Sequence, residues 1–284
     1  MSKFIEDFKR EAESREGANV FFVAEYHKGQ INEAAFVKTN PCQDVYSVAK
    51  TYIVSAVGLL WDRGLLSLDE TLSDILRDEM PPEADAVWSK TTVDMLLLHR
   101  VGLPPNFLDI DCFDANLFGE DYLSYIVTAP IRAEFDMRSS TYTDAAYYLL
   151  SRIVEKRAGM GVDDFLWKHL FFPTGCREAA WSHCPRGHVI GATGLYIRAQ
   201  DLVKHGLIYM NGGTYGGERI LSREWVDTVL ARGYEFKSKN GTLAYGKGGM
   251  RGQMLLVVPA AERVVAWLGC GDNSFSDFVI EYRD

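Results

Sequence analysis

Ser47 and Lys50 stand three residues apart in the string Ser47-Val48-Ala49-Lys50. On a helix this spacing is nearly one turn, so the hydroxyl and the amine share a face. Burial and neighbouring cations can lower an amine's pKa until it accepts a serine proton. A helix N-terminus beneath the serine favours developing negative charge. A second string, Tyr142-Thr143-Asp144, precedes a long helical pattern. A tyrosine held near cations can serve as a proton shuttle. A third, Lys247-Gly248-Gly249, lies on a strand-like stretch near the C-terminus. Its lysine offers a point charge to a substrate carboxylate, and its glycines let a ligand approach the backbone closely.

Taken singly, each string has an ordinary structural reading. Roughly one S-x-x-K is expected by chance in a chain this long. A lysine at the start of an apolar helix, however, is buried and needs a purpose. Asp144 reads as an N-cap with Tyr142 as core packing, and K-G-G is commonly a turn. Their order along the chain carries more weight than any one of them.

The elements that must position these residues follow from hydrophobic period. Phe4, Ile5, Phe8 and Ala12 recur at helical spacing and predict an opening amphipathic helix. VFFVAEY, HKGQ and INEAAFV read as a hairpin. Asp44 is placed to cap SVAKTYIVSAVGLLWDRG, which is apolar nearly all round and predicts a buried helix. A helix-rich middle follows: Thr91 or Thr92 caps VDMLLLHR, Asp144–Ala158 ends at Gly159, and VDDFLWKHLF stops at Pro173 and Gly175. Asp201–Met210 is periodic, and Ser222 caps EWVDTVL. LAYGKGG, QMLLVV and RVVAWLG then predict an antiparallel meander. The expected fold class is therefore α/β (α+β), with one antiparallel sheet drawn from both chain ends and flanked by helices. The sheet-containing part is expected over 1–64 and 187–284, and a helical subdomain over 65–186.

Composition narrows the function. The 284 residues suffice for one large domain, and the net charge of −9 argues against nucleic acid as a partner. MSKFIEDFKREAESREG has no apolar signal core, and no apolar run reaches membrane-spanning length. The five cysteines, Cys42, Cys112, Cys176, Cys184 and Cys270, are odd in number and scattered. They fit reduced thiols and a cytoplasmic location. His183, Cys184 and His188 are neighbours, but no second ligand pair at zinc spacing accompanies them. Neither a metal nor another cofactor is expected. His99 reads as capping or packing, Arg251 as flanking a cleft or solvated, and Trp61, Trp181 and Trp225 as core.

S-x-x-K with a later K-T-G marks penicillin-interacting enzymes, and nearly the whole chain resembles the serine β-lactamase-like family. The likeness is to its class C branch, with low-molecular-mass penicillin-binding proteins and related esterases. VYSVAKTYIVSAVGLLWDRGLLSLDETLSDIL resembles the nucleophile helix, and TTVDMLLLHRVGL the family's "LLxHxSGL" stretch. ATGLYIRAQDLVKHGLIYMNGG with ERILSREWV, and then GKGGMRGQMLLVVP, resemble the sheet-return segment and the third motif.

This resemblance implies a serine hydrolase cleaving an amide, lactam or ester through an acyl-enzyme. Ser47 would be the nucleophile, Lys50 its base and Tyr142 the proton shuttle. Lys247 would match the K-T-G lysine, and the N–H groups of Ser47 and Met250, beside Gly249, would form the oxyanion hole. Two departures stand out. The family's Y-x-N is here Y-x-D, so an ionised Asp144 can only accept hydrogen bonds, and by pairing with Lys50 it would push base duty toward Tyr142. K-T-G is here K-G-G, which removes a carboxylate-binding hydroxyl. A small substrate bearing a carboxylate, and an amine at Asp144, is expected, with penicillins poor substrates. The alternative is a weakly catalytic penicillin-binding or scaffold protein.

Overall fold

The structure, a computed structural model, describes residues 2–239 and 241–283. In chain order it places α1 (Lys3–Ser14), β1 (Val20–His27), β2 (Gln30–Ala35), β3 (Gln43–Asp44) and α2 (Lys50–Trp61). Next come α3 (Leu72–Leu76), α4 (Val93–Leu97), α5 (Tyr122–Val127), α6 (Asp144–Ala158) and α7 (Val162–Leu166). Then follow β4 (Ala179–Trp181), β5 (Leu195–Ile197), α8 (Ala199–Met210), β6 (Thr214–Tyr215), β7 (Glu218–Arg219) and α9 (Arg223–Arg232). The chain closes with β8 (Lys237–Ser238), β9 (Tyr245–Gly249), β10 (Gln253–Val258), β11 (Arg263–Gly269) and α10 (Ser276–Glu281).

The chain forms two compact units. A sheet unit comprises 1–51, 170–180 and 195–284, and a helical unit comprises 52–169 and 181–194. The first division falls between Thr51 and Tyr52, inside α2. The sequence instead suggested divisions after 64 and after 186. The reason is that α2 is buried along almost its whole length, so its period marks no boundary where one unit ends.

In the sheet unit the main sheet has six strands in the order β2-β1-β11-β10-β9-β8. The expected joining of chain ends is realised in the antiparallel pair β1–β11, with Val23 opposite Trp267 and Ala24 opposite Ala266. Side chains on β11 alternate between two buried faces, and all seven of its residues are buried. Val265 and Trp267 join Val23, Leu256 and Val258 against Phe4, Ile5 and Phe8 of α1 and Val279 of α10. On the other face α8 lies so close that a methyl on Gly206 would sit 2.6 Å from Val264 Cγ1. The expected α1 stripe thus faces the core, capped by Ser2 Oγ, which accepts from Ile5 N. Between α1 and the sheet lies a buried ion pair, Arg263 Nε to Glu25 Oε1 at 2.9 Å. Ser2 Oγ donates to the second Glu25 oxygen at 2.7 Å.

The helical unit starts from local caps. Thr71, Thr92 and Asp121 accept from the third following N–H at the starts of α3, α4 and α5. Thr92 rather than Thr91 is the cap of α4. α6 is nearly enclosed from Asp144 to Val154 and ends on Gly159 in left-handed backbone. Trp225 and Trp181 are core, whereas Trp61 is half-buried.

Candidate active site

The sheet unit holds Ser47 on a single 3₁₀ turn, Tyr46–Ala49, which runs directly into α2 at Lys50. Asp44 does not cap a helix here. Its Oδ1 accepts from Tyr46 N at 2.8 Å, a local turn, and Val45 N is held by Leu195 O at 2.9 Å. Tyr46 has φ +47°, backbone that a bulky L residue avoids, so the residue preceding Ser47 is strained. Lys50 is 0 % exposed, and its Nζ donates to Ser47 Oγ at 3.0 Å. The S-x-x-K spacing thus does bring the amine onto the hydroxyl.

Gly249 closes the other side of the turn. It ends β9, opposite Gln253, and a Cβ on it would lie 2.3 Å from Val45 O and 3.3 Å from Tyr46 Cβ. Only glycine lets the strand run this close to the Ser47 turn. Gln253 clamps the neighbouring ladder: its amide donates to Gly269 O at 2.5 Å and accepts from Gly269 N at 2.9 Å. Met250 and Arg251 follow, Arg251 at φ +56°. A cleft of about 450 Å³ opens on this edge, lined by Gly248, Gly249, Arg251, Asn273 and Ser276 among others. Arg251 therefore borders a cleft, with its guanidinium 3.9 Å from Cys270 Sγ.

Lys247 stands two residues before Gly249, opposite Leu255. Its Nζ lies 2.5 Å from Glu235 Oε2. Sequence reasoning missed Glu235, since nothing in its local string marks it.

In the helical unit Tyr142 is 38 % exposed and Asp144 is 6 % exposed. Asp144 is not the N-cap of α6. Thr143 is, accepting from Ala145 N at 3.3 Å, while Asp144 is the first helical residue, where its negative charge suits the helix dipole. His99 fixes this corner. It is buried, with its ring 4.6 Å from that of Tyr142 and 5.0 Å from that of Tyr147. Its Nδ1 is 3.1 Å from Thr143 O and 3.4 Å from Thr143 N. Thr143 Oγ1 donates to Phe107 O at 2.7 Å. His99 is thus a packing residue, as expected, and one that holds the Tyr142 loop. Carboxylate oxygens of Asp109, Asp111 and Asp144 lie within 4.8 Å of one another, with Thr193 Oγ1 donating to Asp111 at 2.7 Å. Asp109 and Asp111 were also missed, because they join Asp144 only through the fold.

The His183-Cys184-His188 cluster does not converge. His183 Nε2 faces Asp163 at 3.3 Å, His188 Nδ1 faces Glu155 at 2.9 Å, and buried Cys184 accepts from Tyr148 OH at 3.4 Å. Burial raises the thiol pKa of Cys42 to about 11 and that of Cys176 to about 12, so neither resembles an activated nucleophile.

The profile of the family described as Beta-lactamase matches residues 9–283. The chain belongs to that family. Penicillin-binding protein 4 of Amycolatopsis lactamdurans is 26 % identical over 291 residues, covering 84 % of this chain and 74 % of that protein. 6-Aminohexanoate-dimer hydrolase of Paenarthrobacter ureafaciens is 24 % identical over 203 residues, 66 % of this chain and 50 % of that protein. Among solved structures, a penicillin-binding protein of Bacillus halodurans superposes with TM-score 0.67 at 16 % identity, covering 97 % of each chain. EstCE1, a hydrolase with promiscuous acyltransferase activity, gives TM-score 0.72 at 17 % identity over 94 % of this chain and 92 % of its own. These likenesses establish a β-lactamase/transpeptidase-like fold in a hydrolase-type family. No helix among the described residues is long and apolar enough to cross a membrane.

Proposed function

We propose that the chain is a serine hydrolase cleaving a small amide, lactam or ester through an acyl-enzyme on Ser47. The observation that carries this reading is the 3.0 Å contact between Lys50 Nζ, itself 0 % exposed, and Ser47 Oγ. A buried amine on a serine hydroxyl is the arrangement by which a lysine activates a nucleophile. Ser47 Oγ attacks the carbonyl carbon, its proton passes to Lys50 or Tyr142, and the same proton leaves with the departing amine or alcohol. Water then attacks the acyl-serine, losing a proton to the same base, which passes it to the departing Ser47 Oγ as the acid is released. The N–H groups of Ser47 and Met250 are the proposed donors to the oxyanion, a contribution of about 3 kcal/mol for one such donor.

Asp144 supports an acyl group that carries an amine, because with Asp109 and Asp111 it makes an acidic corner in the helical unit. The 6-aminohexanoate-dimer hydrolase relative is consistent with an amide of that kind. The fixed charge of Lys247 favours a substrate that also bears a carboxylate, and its Nζ lies 2.5 Å from Glu235 Oε2.

Incubation with a fluorophosphonate probe, followed by peptide mapping, tests the proposal. Labelling at Ser47 supports it. An unlabelled Ser47, together with no hydrolysis of p-nitrophenyl esters or aminoacyl amides, favours the scaffold alternative.

A further inference from the structure

Lys247 carries the third motif of the proposed site, and the structure sets a buried carboxylate against it. α9 ends at Arg232, Gly233 turns in left-handed backbone, and the chain then reaches β8 at Lys237. Glu235 sits in this connection at φ +59°, a conformation that non-glycine residues rarely adopt. It is held there by its neighbours: Tyr234 is fully buried, and Phe236 is buried against Tyr209 at 4.0 Å and His205 at 6.0 Å between ring centroids. Backbone bonds tighten the bend, with Phe236 N to Tyr234 O at 2.7 Å and Lys237 N to Glu235 O at 3.0 Å. The pairing of Lys237 with Gly246 then sets Glu235 beside Lys247. The glutamate side chain is 1 % exposed and the lysine side chain 12 % exposed. Water screens such a pair little, so the carboxylate cancels most of the field that the ammonium would project.

The neighbourhood shows what the glutamate offsets. Lys237 and Lys239 flank the same strand pair, and the pKa of half-buried Lys239 is lowered by burial and then by the charges of Lys247 and Lys237. Lys237 and Lys247 both lie within electrostatic reach of Lys239, and Glu235 pairs with the lysine on the motif strand. A merely structural counter-ion could have sat on exposed Lys237. This one is buried on strained backbone against Lys247.

We propose that Glu235 is a specificity-determining positioning residue. By pairing with Lys247 it converts a carboxylate-binding cation into a charge-balanced hydrogen-bond donor. The substrate class that follows is esters and amides without a carboxylate beside the scissile bond, turned over as readily as their carboxylate-bearing analogues. This rests on the reading above, in which Ser47 is acylated, with Lys247 two residues before the Gly249 that packs on the Ser47 turn.

The test uses matched substrate pairs with the full chain. Phenyl acetate and 3-carboxyphenyl acetate differ by a carboxylate on the leaving side. p-Nitrophenyl butyrate and p-nitrophenyl hydrogen succinate differ on the acyl side. For the wild-type chain the kcat/KM ratio within each pair is expected to stay within about fivefold of unity. In Glu235→Gln the carboxylate-bearing member of at least one pair gains about tenfold or more, through KM, because an unbalanced cation favours an anion. Glu235→Asp, which restores the charge, returns the ratio toward wild type. A wild-type preference for carboxylates above about tenfold overturns the proposal, and needs no variant to be seen. So does an unchanged ratio in a folded Glu235→Gln chain. Fluorophosphonate labelling separates the two levels: labelled Ser47 with an unmoved ratio removes only the role of Glu235, and unlabelled Ser47 removes both.

Discussion

The carbonyl of Val45 faces the Cα of Gly249 so closely that a methyl group there would lie 2.3 Å from the oxygen. Strand β9 and the turn that carries Ser47 are therefore in backbone contact. Gly249→Ala must push one of them away and displace Ser47 relative to the strand. Shifts of about 1 Å near reacting atoms cost on the order of a hundredfold in rate. We expect kcat/KM for a p-nitrophenyl ester to fall by about that factor while the thermal midpoint moves by only a few degrees. Unaltered kinetics would show that the contact has no part in placing the serine.

Ser47→Ala is expected to abolish covalent labelling. Lys50→Ala should lose nearly as much, since residues that act as one unit are strongly non-additive. Single-turnover acylation with a chromogenic ester measures both. Full activity in Ser47→Ala would remove the proposed mechanism.

Asp144 opens α6 and shares its corner with Asp109 and Asp111. Asp144→Asn supplies an amide donor where the wild type has only acceptors. One neutral hydrogen bond is worth about 1 kcal/mol, so penicillin acylation of Ser47 should rise roughly five- to tenfold. Cleavage of amine-bearing acyl amides should fall in the same variant. Acylation rates with fluorescent penicillin and hydrolysis rates with aminoacyl amides, compared across the two proteins, check both directions.

His205 lies on α8, fully buried, and burial pushes its pKa down to about 3. In the unfolded chain the same group titrates near about 6.5. Below that pH the unfolded state binds the proton that the folded state refuses, so stability falls as pH drops from about 6.5 toward about 3. The slope is up to about 1.4 kcal/mol per pH unit. His205→Phe keeps a ring beside Phe236 and Tyr209 and removes the titration. Urea midpoints between pH 7 and pH 4.5 should decline less steeply in the variant, and equal slopes would exclude His205 as the cause.

Glu25 and Arg263 form an ion pair whose side chains are 2 % and 1 % exposed, beneath the rings of Phe4 and Tyr282. Glu25→Ala leaves a guanidinium buried without its partner, which costs about 3–5 kcal/mol. Replacing both residues by leucine and methionine should recover most of the loss. Urea unfolding of the single and double variants measures the difference, and a single variant within about 1 kcal/mol of wild type would contradict the argument.

How far the sequence could be read depended on the range of the interactions concerned. The Phe4-Ile5-Phe8 stripe and the apolar runs of β10 and β11 were legible because burial follows helix and strand periods directly. The contact of Lys50 with Ser47 was legible because its spacing is one helical turn. Thr143 displaced Asp144 as the cap by a single residue, a choice decided by Phe107 O and His99 rather than by the local string. Glu235 was illegible for a different reason. It approaches Lys247 through the register of β8 on β9 and a left-handed bend in a non-glycine residue, and neither has a local signature.

The place of β11 between β1 and β10 sets the order in which the protein can be finished. During synthesis the hairpin β1–β2 and the Ser47 turn emerge early. The strand that hydrogen-bonds to β1 spans Arg263–Gly269 and arrives last among the strands. Until then β1 presents an apolar, unpaired edge, and closing the sheet requires a contact across nearly the whole chain. Closing this pair should therefore be the slow step of folding. The Ser47 turn, which leans on β9, can take its final shape only after that strand has docked.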